Sequence, residues 1–157
     1  MTARPLAFLG STLGAILLMT LPHPAAAAID EPLVYPGSNC IRISGGTPTY
    51  LANGRIRNNT AVNITVQCPM YDRGTDFTGN VWVIDNSTTA NITCSSVVRN
   101  PLGNPSTSQP RSTVGNASSA MALSFDGPDV GGTFTFRFYN CVLPPTTQII
   151  SYRGRAV

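Results

Sequence analysis

Apolar residues in this chain recur at every second position, which restricts the folds it can form. In AVNITVQC, residues 61–68, the apolar side chains alternate with Asn63, Thr65 and Gln67. Cys68 falls on the apolar side of this alternation. A period of two is typical of a β-strand with one buried and one wet face. Similar runs occupy residues 40–44, 81–85, 90–98, 120–125, 133–143 and 148–152.

Turn-forming stretches such as GGTPT, DRGTDFTG, DNST and DGPDVGG separate these runs. No extended helical periodicity occurs in residues 29–157. The sequence therefore predicts an all-β domain there, a single antiparallel β-sandwich of about seven to eight strands. Residues 100–117 lack apolar periodicity, so we expect a long surface loop.

The first 28 residues have the pattern of a secretory signal peptide. Arg4 is their only charged residue, and residues 6–21 form a mostly apolar stretch that we expect to be the signal-peptide helix. Four alanines at 25–28 predict cleavage after Ala28 and a secreted or periplasmic protein. Because the apolar stretch is shorter than the roughly 20 residues that span a bilayer, no membrane attachment is expected after cleavage.

The charge of the chain is low. Charged residues make up 11% of it, and residues 29–157 contain nine arginines, seven acidic residues and no lysine, a net charge of +2. The arginines are scattered along the sequence from Arg42 to Arg155. Because nucleic acids are bound by clustered basic residues, no nucleic-acid partner is predicted.

Few residues suited to catalysis are present. The only histidine, His23, lies in the predicted signal peptide, which excludes histidine-based triads and histidine-bound zinc from the mature domain. Two pairs of aspartates, Asp72 with Asp76 and Asp126 with Asp129, lie in glycine-containing loops where calcium could bind. Neither pair has EF-hand spacing, and aspartate commonly forms turns by itself. We therefore predict no metal, no cofactor and no catalytic residue.

Trp82, the only tryptophan, lies in VWVID, where both parities are apolar. This pattern predicts a central strand with Trp82 in the core. The alternative is a stacking platform for sugar rings. Its aromatic helpers would be Tyr50, Tyr71 or Tyr152.

Five Asn-x-Ser/Thr sequons begin at Asn58, Asn63, Asn86, Asn91 and Asn116. In a eukaryotic secretory pathway such asparagines can carry glycans. The alanine-rich cleavage site and the absence of lysine favour a bacterial origin. In that case the sequons are polar strand faces and turns.

The four cysteines, Cys40, Cys68, Cys94 and Cys141, are an even number in a chain predicted to be exported, which indicates two disulfide bonds. No C-x-x-C spacing occurs, so zinc binding and thioredoxin-like chemistry are not supported. Of three possible pairings we favour Cys40 with Cys68 and Cys94 with Cys141. Each of these bonds links an earlier strand to a later one across a modest loop.

Two resemblances extend this interpretation. Cys68, Trp82 and the segment Tyr139-Asn-Cys141 resemble the Cys…Trp…Tyr-x-Cys framework of immunoglobulin domains. That resemblance implies the alternative pairing of Cys68 with Cys141 and Cys40 with Cys94. Alternation predicts an apolar strand face that gives Cys141 the opposite parity unless a bulge intervenes near Phe138 and Tyr139, which counts against this pairing. The predicted face consists of Phe134, Phe136 and Phe138.

A larger part of the chain, from GSNC through VQCPM, NITCSSV and FYNCVLPP to IISYR, resembles a group of uncharacterised secreted bacterial proteins with four cysteines. This resemblance implies export and a β-sandwich, and no particular activity. The favoured function is a non-catalytic secreted module that binds a protein or glycan ligand or a surface. A pilin-like, adhesive or matrix subunit is the alternative, which an incomplete sandwich would indicate. An aspartate-based hydrolase is the least favoured class.

Overall fold

The computed structural model describes residues 33–70, 77–100, 102–108, 110–127 and 136–156, and the predicted signal peptide with its cleavage site at Ala28 lies outside them. The described part contains twelve strands, one 3-10 turn and no α-helix. The strands are β1 (Leu33–Pro36), β2 (Ile41–Gly45), β3 (Thr49–Tyr50), β4 (Ile56–Arg57), β5 (Ile64–Met70), β6 (Phe77–Asp85), β7 (Thr93–Arg99), β8 (Pro105–Thr107), β9 (Arg111–Ser112), β10 (Ala117–Asp126), β11 (Phe136–Leu143) and β12 (Gln148–Ala156).

These strands form two antiparallel sheets that share one core. Sheet A has the order β10-β6-β12-β4-β3, and β1 also pairs with β12. Sheet B has the order β2-β5-β11-β7-β8, and β9 also pairs with β7. The predicted antiparallel sandwich is confirmed. All seven predicted runs are strands, and five short strands that lack apolar alternation raise the described number to twelve.

The predicted long loop at residues 100–117 is wrong in part. Residues 105–107 and 111–112 are the strands β8 and β9, which pair with β7 at the edge of sheet B. Backbone hydrogen bonds and a bond from Ser96 N to Ser108 Oγ of 2.9 Å attach this segment to the sheet. Because polar residues can pair at a sheet edge through the backbone alone, periodicity gave no signal here.

Both disulfide bonds connect neighbouring parts of sheet B, although Cys40 lies directly before β2 and not within it. Cys40 is bonded to Cys68 and Cys94 to Cys141, which is the pairing favoured from the sequence. Cys94 and Cys141 are direct partners across β7 and β11, with Cα atoms 4.1 Å apart. All four cysteines are buried. The bonds therefore join neighbouring parts of one sheet, unlike the bond between sheets in immunoglobulin domains.

The predicted apolar face of β11 is wrong for Phe136, and Phe134, which was assigned to the same face, lies outside the described residues. Phe136 is 70% exposed, whereas Tyr139, Cys141 and Leu143 are fully buried and face sheet A. Cys141 therefore has the core parity without a bulge. Arg137 shares this inner parity and lies with its guanidinium 4.1 Å from the centre of a core aromatic ring, that of Phe77. A cation–π contact of this kind allows an arginine to occupy a buried position that alternation assigns to apolar residues.

A pair of glycines makes room in sheet A for large rings from the core. Gly79 in β6 pairs with Gly154 in β12. A Cβ atom at Gly79 would collide with the Tyr139 hydroxyl, and one at Gly154 would lie 2.6 Å from the Phe77 ring. The sequence assigned Gly79 to a turn, but β6 already begins at Phe77. These glycines thus serve close packing inside a strand.

Two tyrosines connect the sheets in opposite directions. Tyr139 of sheet B donates a hydrogen bond of 2.7 Å to the carbonyl of Arg153 in sheet A. Tyr152 of sheet A donates one of 2.7 Å to the carbonyl of Pro69 in sheet B. Burial, with a smaller electrostatic contribution from Tyr35, raises the pKa of the Tyr152 phenol above its ordinary value. These two hydrogen bonds, which we call the tyrosine ties, connect sheet A to sheet B.

Candidate functional site

Trp82 lies on the outer face of sheet A, so its predicted core position is wrong. Its neighbours Val81 and Val83 are fully buried, whereas Trp82 has the opposite parity and is half-buried. In VWVID both parities are apolar, and alternation alone cannot tell which one faces the core. The core parity belongs to the valines because it is continuous with the buried residues Phe77 and Gly79.

Small side chains flank Trp82 on both neighbouring strands. Ala122 of β10 and Ser151 of β12 are its direct partners in the sheet. Directly opposed residues in a sheet have Cβ atoms about 5 Å apart, so these positions decide how much of the indole is covered from the sides. Because alanine and serine have small side chains, they cover little of the sides of the indole.

Three polar side chains form a hydrogen-bonded row beside Trp82. Asn80 pairs with Ser124 on one side and Arg153 on the other. Arg153 Nε donates to Asn80 Oδ1 at 3.1 Å, and Asn80 Nδ2 donates to Ser124 Oγ at 2.9 Å. The Arg153 guanidinium carbon lies 5.3 Å from the centre of the Trp82 ring system. We call these four residues, Trp82, Asn80, Ser124 and Arg153, the sheet A face.

The sheet A face has unused hydrogen-bonding capacity. The two terminal amino groups of Arg153 make no hydrogen bond to other described residues, while its Nε is occupied by Asn80. The Ser124 hydroxyl accepts from Asn80, which leaves its own hydrogen to be donated. An aromatic surface beside several free donors can stack on a sugar ring and bind its hydroxyl or carboxylate oxygens.

The tyrosines proposed as helpers of Trp82 are not on this face. Tyr152 is buried against sheet B. Tyr50 is half-exposed on β3 and donates a 3.3 Å hydrogen bond to the Cys40 carbonyl, while Tyr71 lies outside the described residues. Sequence reasoning missed Asn80, Ser124 and Arg153. Asn80 could have been found, because it shares the parity of Trp82 in β6.

The sequence predicts no metal site at the aspartates, and the structure describes only some of these residues. Asp85 is fully buried and accepts hydrogen bonds from Ser87 N at 3.0 Å, Ile92 N at 3.2 Å and the Thr113 hydroxyl. It therefore fixes the turn between β6 and β7. Asp126 is exposed at the end of β10. The remaining loop aspartates, Asp72, Asp76 and Asp129, lie outside the described residues. Among the described residues, no three His, Cys, Asp or Glu side chains converge as metal ligands do.

The outer face of sheet B also carries an exposed aromatic ring. Phe136 projects from β11, and its strand partner in β7 is Arg99. The Arg99 guanidinium carbon lies 5.6 Å from the ring centre of Phe138, which is almost fully buried. Phe136 and Arg99 therefore provide matched controls for Trp82 and Arg153 on the opposite side of the molecule.

One sequon has a structural role. Asn58 is fully buried, and its Nδ2 donates 2.8 Å hydrogen bonds to the carbonyls of Val62 and Leu143. The asparagines Asn63, Asn91 and Asn116 are exposed. In the part of the chain that the structure describes, no helix has the length and apolar character needed to cross a membrane.

Comparison with known proteins shows that the fold of this chain is similar to that of solved structures. No protein family and no curated protein matches the sequence. The structure is similar to the CBM36-1 domain of a multidomain xylanase from the hindgut metagenome of Trinervitermes trinervoides, with a TM-score of 0.55, 11% identity, and coverage of 81% of this chain and 98% of that one. It is also similar to the enzymatically active domain of tailspike protein 4 of bacteriophage CBA120, with a TM-score of 0.50, 10% identity, and coverage of 80% and 19%. The comparisons therefore show a β-sandwich fold that is similar to that of the CBM36-1 domain.

Proposed function

We propose that this protein is a non-catalytic glycan-binding module and that the sheet A face is its binding surface. The observation that carries the proposal is the half-buried Trp82 beside the hydrogen-bonded row of Ser124, Asn80 and Arg153. The indole supplies a flat apolar surface, and the row supplies donors held in fixed positions. Together they match the apolar face and the hydroxyl groups of a sugar ring.

The similarity of fold supports this class of function. The xylanase domain that the structure resembles is a carbohydrate-binding module, attached in its own protein to a catalytic function. A fold by itself does not fix a function, so the residues of the sheet A face carry the proposal. The scarcity of acid–base residues in the sequence agrees with binding without catalysis.

The alternative, a polymerising subunit, receives less support. A strand-accepting subunit would leave part of its core uncovered. The inward residues of the long strands β5 and β6 are buried. The edge strand β2 has an irregular register between Arg42 and Ser44, and the Arg42 side chain donates a 2.8 Å hydrogen bond to the Gly45 carbonyl of the same strand. Such features hinder pairing with another chain.

Export completes the proposal. Two disulfide bonds are stable in an oxidising compartment, which agrees with the signal peptide predicted from the sequence. We expect the mature protein to begin near Ile29 and to bind its ligand outside the cytoplasm. Mass spectrometry of the secreted or periplasmic protein checks the start, and an intact Met1 terminus would contradict it.

Affinity electrophoresis tests the binding function. Native gels containing soluble polysaccharides, neutral and charged, should retard the wild-type protein in at least one case. Trp82→Ala should abolish the retardation, because it removes the stacking surface. The control Phe136→Ala removes an exposed aromatic ring from sheet B and should be retarded like the wild type. Equal retardation of Trp82→Ala and the wild type would refute the proposed site.

A further inference from the structure

The second arginine on the outer side of sheet A extends the sheet A face along β12. Arg57 of β4 pairs with Gln148, and its neighbour Ile56 pairs with Ile149. Both isoleucines are fully buried in the core. Because side chains alternate along a strand, Arg57 points to the same outer side of the sheet as Trp82 and Arg153.

Neither arginine is neutralised by a described carboxylate. Arg57 and Arg153 form no ion pair with another described residue, and the Nε atom of Arg57 is buried without a hydrogen-bond partner. Asp126 is the one described acidic residue on this side; it pairs with Thr78, beyond the row of Asn80. Asp85 has the inward parity and is fully buried. Arg57 and Arg153 are therefore positive charges on the outer side of sheet A that no described carboxylate neutralises.

The spacing of these charges indicates a chain-like ligand. Gln148, which is opposite Arg57, and Arg153 are separated along β12 by five residues, one of them in an irregular register. With about 3.3 Å for each regular residue, this distance is roughly 13 Å. Trp82 pairs with Ser151 and so lies, along the direction of β12, between the positions of Arg57 and Arg153. A polymer with repeated anionic groups can span backbone positions this far apart and offer one anionic group to each arginine.

We infer that the ligand of the sheet A face is an anionic polysaccharide that runs along β12, with acidic groups at Arg57 and Arg153 and a sugar ring on Trp82. This inference rests on the proposed function and adds the charge and length of the ligand. Guanidinium groups bind carboxylate and sulfate oxygens in a bidentate manner, and both anions occur on polysaccharides. The shared chemistry is a repeated oxyanion on a sugar backbone.

Titration calorimetry of the whole mature protein tests this inference. The ligands are a polyuronate oligosaccharide, a sulfated oligosaccharide of similar length and a neutral xylo-oligosaccharide. We expect at least one anionic ligand to bind roughly tenfold or more tightly than the neutral one, and binding to weaken as NaCl rises from about 0.05 M to about 0.5 M. The anionic arm that binds more tightly identifies the anion, and either one supports the inference.

Substitutions distinguish a specific site from general charge attraction. Arg153→Gln and Arg57→Gln should each weaken anionic binding roughly tenfold, since each removes a charge-assisted contact. Arg99→Gln removes the same charge from sheet B and should bind like the wild type. Equal losses in all three variants, or equally tight binding of inorganic polyphosphate or single-stranded DNA, would overturn the inference.

The outcomes also separate this inference from the proposed function. Equal affinity for neutral and anionic ligands, with loss of both in Trp82→Ala, would overturn the anionic assignment and leave glycan binding intact. No binding of any glycan would overturn both. Thermal melting of each variant, expected to stay close to the wild type, excludes unfolding as the cause of a lost signal.

Discussion

Each of the two sheets of this sandwich is stabilised in a different way. Sheet B contains both disulfide bonds, each between neighbouring parts of the sheet. Sheet A contains none, and large core rings fill the hollow at its paired glycines Gly79 and Gly154. Sheet A also presents the polar and aromatic outer face. The comparison indicates that covalent bonds stabilise one sheet, while the sheet that carries the proposed site depends on packing and on the tyrosine ties.

Removing a disulfide bond should have the largest effect. The double variant Cys94→Ala with Cys141→Ala opens a loop with a sequence separation of 47 residues, for which chain entropy predicts a loss of about 4 kcal/mol in the free energy of unfolding. The bond between Cys40 and Cys68 closes a separation of 28 residues, and its removal should cost roughly 0.5 kcal/mol less. Urea unfolding measures both. A larger loss at the shorter loop would contradict an entropic origin.

The sequence predicted the individual strands unequally well. In β5 one parity is apolar and the other polar, so the strand, its buried face and the inward Cys68 followed from the alternation. In β6 and β11 both parities are apolar, and the core parity was therefore chosen wrongly for Trp82 and for Phe136. The position of Arg137 in the core added to the second error, because the ring of Phe77 that accepts it is distant in sequence.

The candidate site was less predictable than the fold. Trp82 was recognised as a possible sugar platform, but Arg153 and Ser124 come from strands 71 and 42 residues further along the chain, as their numbers in the sequence show. Only the register of β6 with β10 and β12 brings them together. The arginines Arg57 and Arg153 likewise are separate in the sequence and share one side only in the folded sheet.

A substitution at Gly79, one of the paired glycines of sheet A, should have the second largest effect on stability. Gly79→Ala places a methyl group against the Tyr139 hydroxyl and the Phe77 ring, and overpacking of this kind costs about 1 to 3 kcal/mol. Thr78→Ala, a change at the exposed neighbouring position of the same strand, should cost less than about 0.5 kcal/mol. Urea unfolding compares the two variants. Equal stability of Gly79→Ala and the wild type would show that sheet A is not packed as described.

Combining Gly79→Ala with Tyr139→Phe sharpens that test. The second substitution removes the hydroxyl that the new methyl group meets, so the double variant should lose less stability than the sum of the two single losses. Strict additivity would indicate that the two residues are not in contact.

The tyrosine tie from sheet A should give the smallest effect, and it depends on pH. Burial raises the pKa of Tyr152 in the folded protein above the value near 10 of an unfolded tyrosine. Above about pH 10 the unfolded chain therefore releases this proton while the folded protein retains it, and stability falls as pH rises. In Tyr152→Phe, which loses about 1 kcal/mol at neutral pH with the hydrogen bond to Pro69, this alkaline decline should be shallower. An unchanged alkaline slope would contradict the buried phenol.

The fluorescence of Trp82 tests glycan binding at the sheet A face most directly, because the protein has no other tryptophan. Titration of the wild type and of Phe136→Ala with a glycan retained in affinity electrophoresis should change the emission saturably, with the same midpoint in both. A sugar ring on the indole removes water from it, so the emission maximum should shift to shorter wavelength. An emission spectrum that stays constant while calorimetry reports saturable binding of the same glycan would place the ligand elsewhere and contradict the account.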